Sequence, residues 1–377
     1  MGNSKEGHTT EVDLALENSK ESLTRKGKEV KKSKKLQKAK HKEWRRKKDE
    51  EEMQRASAKY EEWRRKVDEE LLRQQDPEEI TDPCAYQARL FEKRWNCDYL
   101  TGDSRFEDNT SIPCKRYTVD PTPDGGFKRN TLQVFSVRVT ELTGGLQWPL
   151  NVFGLVALRD SLDHNRNVIF KRERDNCQTL TNENPYLVLT GPVRGVVFSC
   201  PVVFEVLLYV RGTTDSDDKE LSLLAVNLVK STHPLNSVLI KNSYTSRLST
   251  LDFEIGHIVY SVEATISARI ISGTRPDCFR ARFSAVTYLD EEFVLLDSQD
   301  EDVPISGNKI NLSRCVVSVE SSEQLRISVK ARQGCRVFWG EMDFTPQEMG
   351  TSIQALDIGF CKMEVTVAWS LFSFART

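Results

Sequence analysis

The sequence lacks the features by which membrane, secreted and metal-binding proteins are usually recognised. Its most apolar stretch, Val196–Val210, is interrupted by Cys200-Pro201 and is shorter than the roughly 20 residues that a membrane-spanning helix needs. The first twenty residues are polar, which predicts no secretory signal peptide. The nine cysteines are an odd number, and no two of them form a C-x-x-C pair. We therefore expect a cytoplasmic or nuclear protein with free thiols, no membrane span, no metal and no other cofactor.

The common catalytic signatures are also missing. The chain contains no G-x-S-x-G, no H-E-x-x-H and no phosphate-binding glycine loop, and its five histidines show no metal-ligand spacing. These absences argue against the common hydrolases, zinc proteases and nucleotide-binding enzymes. We expect no catalytic residue and a protein that is not an enzyme.

What is present is a strongly uneven distribution of charge, although the net charge is only −2. Residues 1–80 hold 22 basic and 19 acidic side chains, whereas the other 297 residues hold 32 and 37. This composition predicts a disordered segment over residues 1–24 and a charged helix over residues 25–76. Apolar residues with heptad-like spacing predict a short coiled coil within that helix: Met53, Ala56, Tyr60, Trp63, Val67 and Leu71.

The first half of the predicted helix carries a basic tract. Its members are Lys31, Lys32, Lys34, Lys35, Arg45, Arg46, Lys47 and Lys48. A tract of this kind is typical of a solvated helix, of a nuclear-import signal, or of a non-specific contact with RNA or DNA phosphates. All three interpretations remain open from the sequence.

The rest of the chain changes from helical to β periodicity. Residues 77–130 predict a short helix, Ile80–Asp98, followed by a linker rich in proline and glycine. Beyond it, runs of Val, Ile, Phe and Thr alternate with polar residues and turn signals, which predicts a mainly β body. The predicted strands include Tyr186–Thr190, Leu251–Ile255 and His257–Ile271. Arg194-Gly195-Val196-Val197 returns 120 residues later as Arg314-Cys315-Val316-Val317. We interpret the body as two tandem, duplicated antiparallel β-sandwich-like units, residues 131–245 and 246–377, with chance similarity between strands as the alternative.

The densest polar region of the body flanks the predicted strand Asn167–Arg172. It supplies the candidate binding residues Arg159, Asp160, Asp163, Arg166, Arg174 and Asp175. The simpler interpretation is turn chemistry with cross-strand ion pairs. The alternative is a base and its orienting group, Asp163 and His164, with Cys177 as nucleophile.

The body resembles an uncharacterised plant family, found chiefly in cereals and known only as a domain of unknown function. The resemblance covers about residues 131–373. It rests on Trp148–Gly154, Arg159-Asp160, Arg166-Asn167, Arg174–Gln178, Leu189–Pro192, Lys219–Ser222 and Cys361–Ser370. Because the family has no assigned activity, the resemblance implies none.

In some plant chains a similar domain is fused to a ribosome-inactivating rRNA N-glycosidase. That activity implies a Glu-Ala-x-Arg motif on a helix. Here the nearest string is Glu263-Ala264-Thr265-Ile266, with isoleucine in place of the arginine and a strand in place of the helix. We therefore expect no glycosidase activity from this chain.

Three functional hypotheses follow. The leading one is a non-enzymatic interaction module with a basic helical arm and a protein partner. The second is a nuclear protein associated with nucleic acid through residues 31–48. The third is a defence protein related to the rRNA N-glycosidases, although no catalytic motif is found.

Overall fold

The chain divides into two compact units, residues 1–69 and residues 70–377. In the computed structural model, the described residues are 54–55, 58–59, 61–62, 65–66, 81–99, 105–120, 126–199, 201–228, 236–273, 279–299 and 301–374. All eight described residues of the first unit are helical and exposed, and Glu62 forms an ion pair with Lys66 at 2.9 Å. The helix predicted over residues 25–76 is therefore seen only in part. The predicted disorder, the coiled-coil seam and the basic tract lie outside the described residues.

The second unit begins with a helix, α1 (Pro83–Tyr99), close to the predicted one. Asp82 caps it by accepting a hydrogen bond from the Ala85 backbone N–H at 3.0 Å, and Pro83 occupies the first turn, where its missing N–H costs nothing. The helix buries Tyr86 and Trp95 against the body.

The body is mainly β, as predicted, and its sheets are antiparallel. The strands are β1 (Arg129–Leu142), β2 (Leu150–Arg159), β3 (Asn167–Arg172), β4 (Gln178–Leu180), β5 (Val196–Val197), β6 (Val202–Val210), β7 (Lys219–Leu228), β8 (Val238–Ser246), β9 (Ser249–Gly273), β10 (Arg280–Val286), β11 (Phe293–Asp297), β12 (Ile305–Ser306), β13 (Lys309–Ile310), β14 (Val316–Glu320), β15 (Leu325–Gln333), β16 (Arg336–Phe344), β17 (Gly350–Asp357) and β18 (Cys361–Ser370).

A nine-stranded sheet runs through the whole body around the 25-residue strand β9. The first half of β9 pairs with β1 and β8, and its second half pairs with β14 and β18. Two smaller sheets complete the body. The first has the order β3-β2-β6-β7, with β4 added on β2, and the second has the order β11-β10-β15-β16.

Each small sheet encloses a separate hydrophobic core against the large one. The first core joins β1 and the start of β9 to the first small sheet, and it includes Val137, Phe170 and Phe204. The second core joins the end of β9 and β18 to the second small sheet, and it includes Phe283 and Trp369. Strand β15 shows how the sequence produces this arrangement, because its alternate residues are buried in the core and the residues between them face outwards.

The two small sheets differ in what covers their outer faces. Helix α1 packs on the first sheet, where Ala88 and Phe91 meet Val203 and Ala225. The corresponding face of the second sheet remains open in the described part of the chain, and Trp339 on β16 is 63% exposed there.

Several strand predictions need correction. The predicted strands Leu251–Ile255 and His257–Ile271 are one strand, because Gly256 stays in the ladder between β1 and β8. Tyr186–Thr190 forms only an isolated bridge. The Gln178 side chain donates to the Tyr186 carbonyl and accepts from the Val188 N–H, so these backbone groups do not pair with a neighbouring strand. Strands β8 and β17 were not predicted, because they are mostly exposed and carry little buried apolar pattern.

The described part of the predicted linker is packed on the body and is not a free connection. Residues 105–120 contain no helix or strand, but Phe106 and Tyr117 are buried against the body. The Lys115 backbone N–H donates to Glu263 at 2.9 Å, and the Tyr117 backbone N–H donates to Ser370 at 3.1 Å. This segment is therefore part of the packed body.

Candidate functional site

The polar region predicted from the sequence forms a buried charge network around the β2–β3 connection. Its first group is centred on Glu205 of β6, whose side chain is 2% exposed. Arg159 at the end of β2 donates from Nε to this carboxylate at 2.7 Å, and Arg166 donates from Nε at 3.0 Å. Two guanidinium groups therefore share one buried carboxylate.

Aromatic rings and backbone carbonyls enclose the Arg159 guanidinium. Its centre lies 4.2 Å from the Phe106 ring and 5.4 Å from the Trp95 ring. Arg159 and the Trp95 indole N–H both donate to the His164 carbonyl oxygen at 3.0 Å. Burial lowers the pKa of Arg159 below its ordinary value, and the nearby Glu205 offsets only part of this effect. The group thus fastens α1 and residues 105–110 to the first small sheet.

The second group of the network surrounds Arg194, which precedes β5. Arg194 donates to both oxygens of Asp160, at 2.6 and 2.8 Å, and to Asp163 at 3.0 Å. Burial disfavours the charge of Arg194, but the two aspartates more than offset this cost, so the pKa of Arg194 is raised. The six charged groups of the network, three guanidinium and three carboxylate, balance one another.

The ion pairs and hydrogen bonds of the network argue against chemistry at the predicted Asp163–His164–Cys177 group. The oxygens of Asp163 accept hydrogen bonds from Thr110, Arg194 and the Asn165 backbone N–H. The His164 ring stacks on Tyr99, with ring centroids 4.1 Å apart. Cys177 follows the far end of β3, a strand about 20 Å long. The structure therefore does not bring these three residues together.

Arg174 and Asp175 lie apart from the other four candidates. Arg174 follows β3 and donates to Asp218 at 2.8 Å, while Asp215 lies 3.0 Å away. Asp175 is exposed and lies 3.9 Å from Arg211. These are surface ion pairs between two turns, which contribute little to stability.

Glu263 on β9 belongs to the string that was compared with the glycosidase motif. It lies in a strand, as expected, and its carboxylate is buried. Its oxygens accept the backbone N–H groups of Gly195 at 2.8 Å and Lys115 at 2.9 Å. Burial raises the pKa of Glu263, and these two N–H groups partly offset the effect. The carboxylate thus joins the two halves of the body.

Sequence reasoning missed a basic surface on the open face of the second small sheet. We call it the basic sheet face; it consists of Arg280, Arg282, Lys330, Arg332, Val337 and Trp339. The ladders place them in two rows, Arg280–Arg332–Val337 and Arg282–Lys330–Trp339. All of them except Trp339 border a hollow of about 180 Å³, which Asp297 also lines. The signal in the sequence was the pair of strings Arg280-Ala281-Arg282 and Lys330-Ala331-Arg332, in which alternation sends both cations to one face and the alanine to the core.

The charges on the basic sheet face are not all neutralised. Arg282 is paired with Glu292 at 2.6 Å and Asp297 at 2.5 Å. For Lys330 and Arg332, no carboxylate lies within 4 Å among the described residues. Glu292 also interacts with Lys330, which helps to lower the pKa of that carboxyl group, so the positive charge of the face is only partly compensated next to an exposed indole ring.

A second hollow, of about 360 Å³, lies between the two halves of the body; we call it the Arg314 cleft. Its walls include Phe135, Val188, Leu189, Glu254, Leu295 and Arg314. Neither hollow was predicted, because each is formed by strands distant in sequence. Within the described residues, no group of three or more potential ligands is arranged to hold a metal, and no helix there is long and apolar enough to cross a membrane.

Comparison with known proteins places the chain in a family. Residues 131–367 match the family model described as a domain of unknown function, DUF6598. The chain belongs to the DUF6598 family. The DUF6598 match begins within β1 and ends within β18, so it contains the first core, the second core except Trp369, the basic sheet face and the Arg314 cleft.

Other comparisons add little to the description of this DUF6598 domain. No curated protein matches the chain. Human GIVD cytosolic phospholipase A2 is similar over 66% of this chain and 33% of its own, with 11% sequence identity and a TM-score of 0.23. The chain thus spans about one third of the length of that protein. A likeness this weak carries no argument about fold or activity.

Proposed function

We propose that this protein is a non-enzymatic interaction module whose basic sheet face binds single-stranded nucleic acid. The observation that carries the proposal is the combination on one open face of the exposed Trp339 with Lys330 and Arg332, which form no ion pair within 4 Å among the described residues. Cations bind phosphate groups without sequence preference, and an exposed aromatic ring stacks on a base. The hollow bordered by these cations provides room for a phosphate group.

The contrast between the two small sheets supports a binding role for this face. They have the same strand order, but α1 covers only the first. On the first sheet the outward charges of Arg159, Arg166 and Glu205 are sealed beneath the helix and the segment that follows it. On the second sheet the outward charges remain in contact with solvent. A surface that is both positively charged and aromatic is suited to an anionic partner.

The absence of enzymatic activity is part of the same proposal. The carboxylates and guanidinium groups of the polar network pair with one another, and they also form hydrogen bonds with backbone groups. A substrate could engage these groups only by breaking a buried ion pair, which is costly. The network therefore supports a structural role rather than a catalytic one.

The remaining parts of the proposal rest on the sequence and, for the duplication, also on the strand orders. We propose that the two halves of the body arose by duplication, in line with the matching strand orders and the two Arg-x-Val-Val strings. We also propose a plant origin, a cytoplasmic or nuclear location, and an arm whose residues 31–48 serve nuclear import or add a second contact with nucleic acid.

The experiment is fluorescence anisotropy of a labelled oligothymidylate, and of its RNA counterpart, titrated with the full chain at several salt concentrations. We expect binding that weakens as salt rises and that is lost in the double variant Lys330→Glu/Arg332→Glu. Trp339→Ala should weaken binding by about 1–3 kcal/mol, the usual contribution of one stacked base.

A matched control separates the face from overall charge. Lys171→Glu/Lys241→Glu makes the same change of net charge at two exposed lysines on the other half of the body, and it should retain binding. Replacing Lys31, Lys32, Lys34 and Lys35 by glutamine in the full chain tests the arm. If only the arm variant loses binding, the contact lies in the arm; if the wild-type chain binds neither oligonucleotide, the nucleic-acid proposal is refuted and a protein partner is favoured.

A further inference from the structure

The second Arg-x-Val-Val string places an arginine in an environment very different from that of the first. Arg194 and Arg314 both precede a short strand that joins the large sheet, β5 beside β1 and β14 beside β9. Both side chains are buried, at 2% and 3% exposure. Arg194 has Asp160 and Asp163 as counter-ions, whereas no carboxylate lies within 4 Å of Arg314 among the described residues.

The protein atoms around Arg314 are carbonyl oxygens and an aromatic ring. Its Nε donates to the Gly191 carbonyl at 2.7 Å, and its Nη2 donates to the Val134 carbonyl at 2.6 Å. The guanidinium centre lies 3.6 Å from the Phe293 ring centroid. Burial without a counter-ion lowers the pKa of Arg314 to about 9, so the group remains charged at neutral pH.

These two hydrogen bonds engage Nε and Nη2 and leave the Nη1 atom of the guanidinium group. It has no hydrogen-bond partner among the described residues. Since it is not one of the fully buried polar atoms without a partner, it keeps some contact with solvent. Arg314 itself lines the cleft. Since a buried charge is costly without an opposite charge, a ligand anion would relieve the cost.

The other walls of the cleft restrict the class of anion. Leu189 and Leu295 are buried apolar residues, and Phe135 is a partly buried one, so the deep part suits an apolar body. Glu254, Glu291, Glu292 and Asp297 also line the cleft and would repel a multiply charged anion. Carboxylates fit the planar guanidinium group well and carry a single negative charge.

We infer that the Arg314 cleft is a binding site for a small monocarboxylate with an apolar or aromatic body, whose carboxylate pairs with Arg314. This inference does not rest on the proposed function of the basic sheet face. The two hollows are neighbours that share Arg282, Asp297 and Gln299, but Arg314, Lys330 and Arg332 each belong to only one of them.

The test uses 3-phenylpropanoate and decanoate as probes, with 3-phenylpropanamide as the uncharged match. Saturation-transfer NMR and thermal melting of the full chain report binding, since a ligand that binds only the folded state raises the melting temperature. We expect both carboxylates to bind and the amide to bind about 10- to 100-fold more weakly, the usual contribution of a charged hydrogen bond.

Two variants decide the site. Arg314→Met should abolish the difference between the acid and the amide. Val188→Trp, at a position that is 40% exposed on the cleft wall, should block both probes while leaving Arg314 in place, and it keeps the test informative if Arg314→Met does not fold. Any one of three results would overturn the inference. The two carboxylates do not bind up to their solubility limits, the acid and the amide bind equally, or Val188→Trp leaves binding unchanged. None of these outcomes bears on oligonucleotide binding.

Discussion

Glu205 offers the sharpest test of the buried charge network. Replacing it with glutamine keeps the shape of the side chain but removes the one carboxylate shared by Arg159 and Arg166. Two guanidinium groups would then share a neutral side chain beneath α1. Breaking a buried ion pair by removing one partner typically costs about 3–5 kcal/mol. With a urea m-value of about 3 kcal/mol/M for a unit of this size, the unfolding midpoint should fall by about 1–1.7 M.

The assay is urea unfolding followed by tryptophan fluorescence, to which Trp95 contributes because it stacks over Arg159. The control is Glu364→Gln, which breaks an equally short but exposed pair with Arg269 at 2.7 Å. That change should cost at most about 1 kcal/mol. The double variant Glu205→Gln/Arg166→Gln should lose less than the sum of the single losses, because it removes one of the two cations left unpaired.

The reasoning is refuted if Glu205→Gln shifts the midpoint no further than Glu364→Gln does. Such a result would mean that water or a backbone rearrangement solvates the two guanidinium groups without Glu205. Strict additivity in the double variant would also contradict a shared carboxylate.

Two further predictions concern the backbone and pH. Gly154→Ala should unfold or severely destabilise the protein, because φ is +116° and an added Cβ would lie 2.0 Å from a backbone oxygen of β6. Gly145→Ala is the control: φ is +78°, but an added Cβ would meet no atom within 4 Å, so the change should cost only about 1–2 kcal/mol in thermal melting. Because burial raises the pKa of Glu263, its contribution to the free energy of unfolding should be complete below the ordinary pKa of 4.5 and decline as pH rises through the raised pKa. Urea unfolding across this range should therefore show a smaller decline in Glu263→Gln, and identical pH dependence in the two proteins would contradict the assignment.

Periodicity in the sequence predicted the β body well, for a local reason. Alternation along β15 and β16 follows from the two-residue repeat of a strand, so it can be read without knowing the partner strands. The polar network was also visible as a dense cluster of charge between two predicted strands. Its central carboxylate was not, because Glu205 lies in an apolar run and is 39 residues from Arg166.

The binding surfaces could not be predicted in the same way. Arg280 and Arg332 become neighbours only when β10 pairs with β15, and the Arg314 cleft requires residues from both halves of the body. Nor does the sequence show which sheet face α1 will cover. Among the described residues, α1 packs on the first small sheet and the basic sheet face stays open.

The sequence alone determined the mainly β class, the place of α1 and the absence of the familiar catalytic motifs, because these depend on residue type and short-range repetition. Tertiary structure decided which charges are neutralised and which are not. The two Arg-x-Val-Val strings are nearly identical locally, yet Arg194 meets two carboxylates and Arg314 meets carbonyl oxygens and an aromatic ring. Charge compensation acts across strands that are far apart in the chain, and only the folded arrangement establishes it.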